Sequence, residues 1–331
     1  MKLFGKILTL LLAIISSSAY ATVQSGHNWQ TTFYEPATQI MEYTAWFHND
    51  ILMPIIVAIT ILVLVLLIML VVKFRAKKNP IPSKTTHHVP LEIAWTLIPV
   101  AILMFIAVYS IDLLKYQDHE PKADVTIKAV GYQWYWGYEY PKDGVAEYSA
   151  YMLCPVTEGG EQGFDKQCVK GLKTKGLQHK LATDYPVVVP VNKNVRILTT
   201  ASDVIHAWTI PAFGVKKDAV PGRMNSLWFN AKTLGTFYGQ CSELCGVNHA
   251  FMPIMVKVVP QNIYESWLKL AQSGDLDGGN KILADYEQSV NLDSAQISMQ
   301  DIKDKTNMTL TVDGKDMDLA DDMTQNKGTA K

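Results

Sequence analysis

Two long apolar stretches constrain this chain more than anything else in it. Ile51 to Val72 and Ile93 to Ile111 contain no Asp, Glu, Lys or Arg. A helix rising about 1.5 Å per residue needs roughly 20 such residues to cross the ~30 Å hydrocarbon core of a bilayer, and both stretches meet that need. A buried core helix is the competing reading, but their length and uniform apolarity argue against it. Residues 51–114 are therefore expected to form a two-helix transmembrane hairpin. Its connecting loop, residues 73–90, carries Lys73, Arg75, Lys77, Lys78 and Lys84, whereas Thr22 to Asp50 holds no lysine or arginine. Positive charge stays on the cytoplasmic side, so the segment 22–50 and everything after the second span are expected outside.

The N-terminus has the marks of an export signal over residues 1–21. Lys2 and Lys6 precede the apolar core Ile7 to Ile15, and Ala19-Tyr20-Ala21 supplies a small-residue cleavage site. A third membrane helix is the alternative, but the stretch is short and Ser16 to Ser18 interrupts it. Export places the later part of the chain in a disulfide-permissive compartment.

After the second span the pattern changes to short β-branched or alternating runs: Val125 to Val130, Pro186 to Val191, Val195 to Thr200, Ser226 to Phe229 and Met252 to Val259. Turn residues separate them at Pro141 to Gly144, Asn192 to Asn194 and Pro221-Gly222. Such punctuation predicts an all-β domain over 120–272, an antiparallel sandwich or barrel, closed by an amphipathic helix at Gln261 to Gln272. From residue 273 to 331 the chain is polar and acidic, and is expected to be mobile or weakly helical. Net charge is −1 and no basic run is long enough to track a phosphate backbone, so nucleic acid is not an expected partner.

The chemistry is concentrated in Cys241-Ser242-Glu243-Leu244-Cys245-Gly246-Val247-Asn248-His249-Ala250-Phe251-Met252, preceded by His206 in Asp203-Val204-Ile205-His206-Ala207-Trp208. Two thiols, imidazole and a thioether make a soft donor set that suits copper. On residue chemistry alone three other readings stay open: a Cys241–Cys245 disulfide, a Cys2His2 zinc site that leaves Met252 idle, and a mononuclear copper site that leaves one cysteine over.

At every one of these positions the run resembles the Cys-x-Glu-x-Cys-x3-His-x2-Met loop of the dinuclear copper (CuA) centre in cytochrome c oxidase subunit II. Gln133-Trp134-Tyr135-Trp136, Asp218 to Arg223, Tyr238-Gly239-Gln240 and Phe251 to Ile254 resemble that family too, so the likeness runs from about Glu35 to Leu270. It implies two N-terminal transmembrane helices followed by an all-β, cupredoxin-like Greek-key periplasmic domain. It implies that Cys241 and Cys245 bridge two copper ions, that His206 and His249 each cap one, and that Met252 is a weak ligand. Glu243 would bind copper through its backbone carbonyl, its carboxylate serving a magnesium or manganese ion shared with subunit I.

Further roles follow from the same resemblance. Trp134 matches the exposed tryptophan through which the family takes electrons from cytochrome c, and Glu139 and Asp203 match acidic docking positions. Core packing or an interfacial aromatic belt accounts for most of the other aromatics between Gly131 and Tyr140. Glu92 resembles a glutamate at the mouth of a proton-uptake path into subunit I, although a membrane-edge carboxylate is often a solvated cap. The implied protein is an electron-transfer subunit of a bacterial inner-membrane oxidase, with subunits I and III as partners and oxygen chemistry in subunit I. A zinc- or disulfide-containing assembly protein and a quinol-oxidase subunit are the alternatives; the latter loses the copper ligands that are all present here.

Two features depart from the better-known members. Cys154 and Cys168 enclose an insertion, for which a disulfide is the simple reading in an oxidising compartment, worth on the order of 3 kcal/mol for a loop of that size. No Cys-x-x-Cys-His run occurs, so the electron donor is expected to be a separate protein.

Overall fold

A computed structural model describes residues 22–23, 28–81, 83–154, 165–290, 311–312 and 315–316. The expected export signal lies outside the described residues, as does the middle of the insertion, 155–164.

The first membrane helix begins well before its apolar stretch. Thr38 caps α1 (Gln39–Trp46), its hydroxyl accepting from Met41 N at 3.1 Å. A wider helical turn at Phe47–Leu52 leads without a break into α2 (Met53–Lys73). The early start has a physical reason: Ile40 and Met41 are buried, and the Thr38 hydroxyl donates to Phe213 O at 2.7 Å, so α1 is fastened to the β domain. The second helix, α3 (Val89–Asp118), also overruns its apolar stretch at both ends. At its start His88 Nδ1 accepts from Leu91 N while the Glu92 carboxylate accepts from His88 N at 3.1 Å, a reciprocal cap. Both helices are long and apolar enough to cross a membrane, and their large side chains lie exposed along most of their length. So extensive an apolar surface belongs in lipid or against other membrane helices, and the chain is a membrane protein.

The C-terminal end of α3 plugs into the β domain. Trp228 Nε1 donates to Gln117 O at 3.0 Å, and Glu120 bonds Ser226 and pairs with Arg196 at 2.9 Å. The β domain is therefore held at two points, by α1 and by the end of α3.

Its first sheet is formed by β2 (Val125–Tyr132), β3 (Tyr135–Tyr140), β4 (Val145–Ala150), β6 (Asn194–Ala201) and β9 (Asn225–Asn230), in the order β4-β3-β2-β6-β9. The second has the order β1-β10-β11-β5, with β1 (Thr22–Val23), β5 (Val187–Pro190), β10 (Gly235–Gln240) and β11 (Pro253–Val259). A hairpin, β7 (His206–Ile210) with β8 (Val215–Ala219), lies beside them. Between the layers sit Ile127, Ile197, Trp208, Phe213, Phe229 and Val256, all fully buried. The sheets are mixed rather than purely antiparallel: β2 pairs with β6, and β5 with β11, in parallel. Parallel pairing needs a long crossover, and the stretches between those partners are long enough to provide it.

The insertion folds back as α4 (Lys166–Thr174), and Cys154 and Cys168 are disulfide-bonded with Cα atoms 5.7 Å apart. Leu172 and Ala182 pack with Cys154, Tyr238 and Met255 in a small separate cluster against the β10–β11 hairpin. After the closing helix α5 (Gln261–Gln272), the tail expected to be mobile or weakly helical begins with a well-packed helix. Residues 276–290 form a further helix, α6, with Leu283 buried. Glu287 pairs with the nearly buried Lys257 at 2.5 Å, and Asn280 Nδ2 donates to Asp184 O at 2.9 Å. An acidic composition concealed a helix whose apolar side chains and one carboxylate dock on the domain.

Candidate metal centre

Three strands converge on one end of the β domain and fix the donors. The β10–β11 hairpin is paired as far as Gln240 opposite Pro253, and Cys241 N donates to Met252 O at 3.3 Å, closing the neck of the loop between them. Ser242 N donates to Ala207 O at 3.1 Å and ties that loop to β7, whose first residue is His206. Inside the loop, a turn at His249–Phe251 swings His249 back towards the cysteines. Gly246 adopts φ +120°, where side chains are disfavoured, and a Cβ there would stand 3.0 Å from Trp134.

The Cys241 and Cys245 sulfurs are 3.8 Å apart, far beyond the ~2.05 Å of a disulfide bond, so they are free thiols in contact. His206 Nδ1 is 3.8 Å from the Cys241 sulfur and His249 Nδ1 is 3.5 Å from the Cys245 sulfur. Met252 Sδ lies 3.5 Å from Cys245, and the Glu243 carbonyl 3.3 Å from Cys241. The ligand atoms of His206, Cys241 and Cys245 lie within 4.8 Å of one another, and all three residues are buried. The arrangement brings together all six positions named from the sequence. It leaves the Glu243 side chain outside, exposed to solvent. Donor chemistry of thiolate, imidazole and thioether, gathered in one buried spot, fits copper.

Electrostatics favour one thiolate and oppose a second. Burial pushes the Cys241 thiol up, but hydrogen bonds from His206, the loop backbone and His249 outweigh it and bring the group below its ordinary value. Cys245 is pushed the other way, by burial first and then by the neighbouring Cys241 charge. A bound cation removes that conflict, because it compensates both thiolates.

The surroundings differ from the sequence expectations in instructive ways. Trp134 is half-buried, and its indole N–H donates to Cys245 O at 3.1 Å. Gln133 Nε2 donates to the same carbonyl at 2.8 Å, a residue that sequence reasoning passed over. Asp203 accepts from Gln133 N at 2.7 Å and from His206 Nε2 at 2.8 Å. Glu139 pairs with Lys128 at 2.9 Å, and Glu147 joins the same lysine at 3.7 Å while accepting from Tyr132 Oη. Glu92 stands at the far end of the transmembrane hairpin, in the first turn of α3. Trp136 is fully buried with its ring 6.0 Å from the His206 ring, and Gly131 of β2 backs onto the same imidazole.

Comparison with known proteins points to one family. The family described as cytochrome c oxidase subunit II, transmembrane domain, matches residues 26–113, and cytochrome c oxidase subunit II, periplasmic domain, matches residues 125–259. Cytochrome c oxidase subunit 2 of Cereibacter sphaeroides is 47% identical over 247 residues, covering 74% of this chain and 81% of that protein. A probable cytochrome c oxidase subunit 2 of Rickettsia bellii is 40% identical over 281 residues, covering 85% of this chain and 98% of that one. The solved periplasmic domain of subunit II of cytochrome oxidase from Bradyrhizobium japonicum is 46% identical, covering 47% of this chain and 99% of that one, with a TM-score of 0.39.

Proposed function

Because the chain belongs to the cytochrome c oxidase subunit II family, we propose that it is the electron-accepting subunit of a bacterial haem–copper oxidase, taking electrons from cytochrome c and passing them to haem in subunit I. The observation that carries this reading is the convergence of Cys241, Cys245, His206, His249, Met252 and the Glu243 carbonyl on one buried point. When bound there, a pair of copper ions supplies reversible one-electron exchange.

The residues of the chain do the rest. Cys241 and Cys245 present two sulfurs close enough to be shared by two ions, and each sulfur has its own imidazole beside it. The closed loop neck and the surrounding strands hold these donors in place in either charge state, which keeps rearrangement on electron transfer small. Trp134 is one hydrogen bond from the backbone of Cys245, a short bonded route from the domain surface to a thiolate. Glu139, Glu147 and Asp203 supply acidic charge on this domain that steers a basic donor, although Lys128 offsets part of it. The exposed Glu243 carboxylate is free to meet a magnesium or manganese ion at the boundary with subunit I, oxygen being the ligand such ions take. Glu92 is assigned to the mouth of a proton-uptake path, at the opposite end of the hairpin. The lysine-rich loop supports a cytoplasmic placement for that end, hence a periplasmic one for the copper domain in the bacterial inner membrane. Subunits I and III are the expected partners, with oxygen reduction and proton pumping in subunit I.

The test is electron transfer. Copper-loaded full-length protein in detergent, mixed rapidly with reduced cytochrome c, is expected to oxidise it. Trp134→Phe keeps an aromatic ring but loses the indole N–H bonded to Cys245 O, so it should slow the transfer and leave cytochrome c affinity nearly unchanged. A copper-loaded protein that leaves cytochrome c reduced contradicts the proposal.

A further inference from the structure

Sequence resemblance made Asp203 a surface acid for docking, yet its carboxylate is already engaged. One oxygen lies 2.8 Å from His206 Nε2 and accepts from Val204 N at 2.6 Å, and the other accepts from Gln133 N at 2.7 Å. Its side chain is 31% exposed, while the imidazole it bonds is fully buried. We propose that Asp203 is a positioning residue for the metal centre, one strut that fixes both the His206 imidazole and the loop carrying Trp134. The inference rests on the copper reading of the site given above.

A carboxylate can only accept here, so His206 Nε2 carries the proton and Nδ1, facing the Cys241 sulfur at 3.8 Å, keeps its lone pair free for a metal. A carboxylate on the distal nitrogen of a ligating histidine also fixes the ring orientation and raises its basicity. Among the described residues no carboxylate bonds the His249 imidazole in this way, so the support is confined to one of the two histidines. The second oxygen extends the strut. Gln133 N is held by Asp203, while the Gln133 side chain and the Trp134 indole both grip Cys245 O. Asp203 thus closes a ring of contacts through His206 and Cys241 on one side and through Gln133 and Cys245 on the other. Losing it should loosen the ligand and the tryptophan together.

The deciding experiment uses full-length protein in detergent, with no cytochrome c present. Wild type, Asp203→Ala and Asp203→Asn are loaded with copper, and retention against a competing chelator is measured alongside the electron paramagnetic resonance spectrum. Asp203→Ala is expected to retain copper about 10–100-fold less well, the range seen when such outer-shell partners are removed. Asp203→Asn, which keeps one acceptor oxygen and loses the charge, should show a smaller loss and altered copper hyperfine splitting. Neither effect should depend on salt. If Asp203→Ala does not fold, judged by circular dichroism, the asparagine variant carries the test alone. Variants with wild-type retention and an unchanged spectrum would overturn the inference and leave Asp203 a docking acid. Failure of the wild type itself to take up copper would instead overturn the reading of the site.

Discussion

Replacing Gly131 with alanine probes how tightly the β scaffold grips its histidine. A Cβ at this position would lie 2.6 Å from His206 Cδ2, 2.8 Å from Cγ and 3.0 Å from Cβ. Ordinary contacts of this kind start near 3.4 Å, so the two groups must separate by about 0.8 Å. The imidazole has nowhere to go. It is fully buried, bonded to Asp203 at 2.8 Å, faces Cys241 at 3.8 Å and has the Trp136 ring beside it at 6.0 Å. Strand β2 is no freer, because it is paired on both sides, with β3 and β6. Overpacking of this sort costs about 1–3 kcal/mol in stability. Because the clash lands on a proposed ligand, copper retention should fall as well. Thermal unfolding of the copper-free protein in detergent reads the first effect and the copper spectrum reads the second. A Gly131→Ala protein with wild-type unfolding temperature and an unchanged copper spectrum would refute this account of the packing.

Two further expectations concern the parts of the domain outside the site. The double change Cys154→Ser with Cys168→Ser should lower stability by about 3 kcal/mol in the chain-entropy model, because the bridge closes a loop with a sequence separation of 14, and should leave the copper spectrum unchanged; an altered spectrum would mean that the insertion reaches the metal through β10 and β11. Glu287→Ala strands the Lys257 ammonium, which is 10% exposed, and should cost about 1–3 kcal/mol, measured by thermal unfolding; no change would mean that α6 does not hold the domain together.

How much of this was legible follows from which interactions are local. The membrane helices were readable because lipid accepts only long uncharged runs, but their true starts were not. The first depends on Thr38 meeting Phe213, a contact across 175 positions, and the second on the local cap between His88, Leu91 and Glu92. Strands β2, β5, β6, β9 and β11 stood out through β-branched runs. Strands β7 and β10 did not: His206–Ile210 and Gly235–Gln240 are almost entirely buried and lack alternation, as β5 and β11 do, but they hold few β-branched residues and so carry neither signal. Helix α6 was obscured because acidic composition was weighed above the spacing of Leu276, Leu283 and Tyr286, which places them on one side of a helix. At the site, donor identities were readable because the copper loop is one contiguous run. The supports were not: Gln133 reaches Cys245 across 112 positions, and Asp203 reaches Gln133 across 70. The spacing from Asp203 to His206 was in plain view, and the acid was given only a surface role.

The six gathered donors are proposed to hold two copper ions acting as one electron acceptor. Metal analysis and electron paramagnetic resonance on the same sample of oxidised full-length protein address it most directly. Two copper ions per chain are expected, with a hyperfine pattern from one unpaired electron shared equally between two copper nuclei, both lost in Cys241→Ser and Cys245→Ser. One zinc ion per chain, or a single copper with its electron localised on one nucleus, would contradict it.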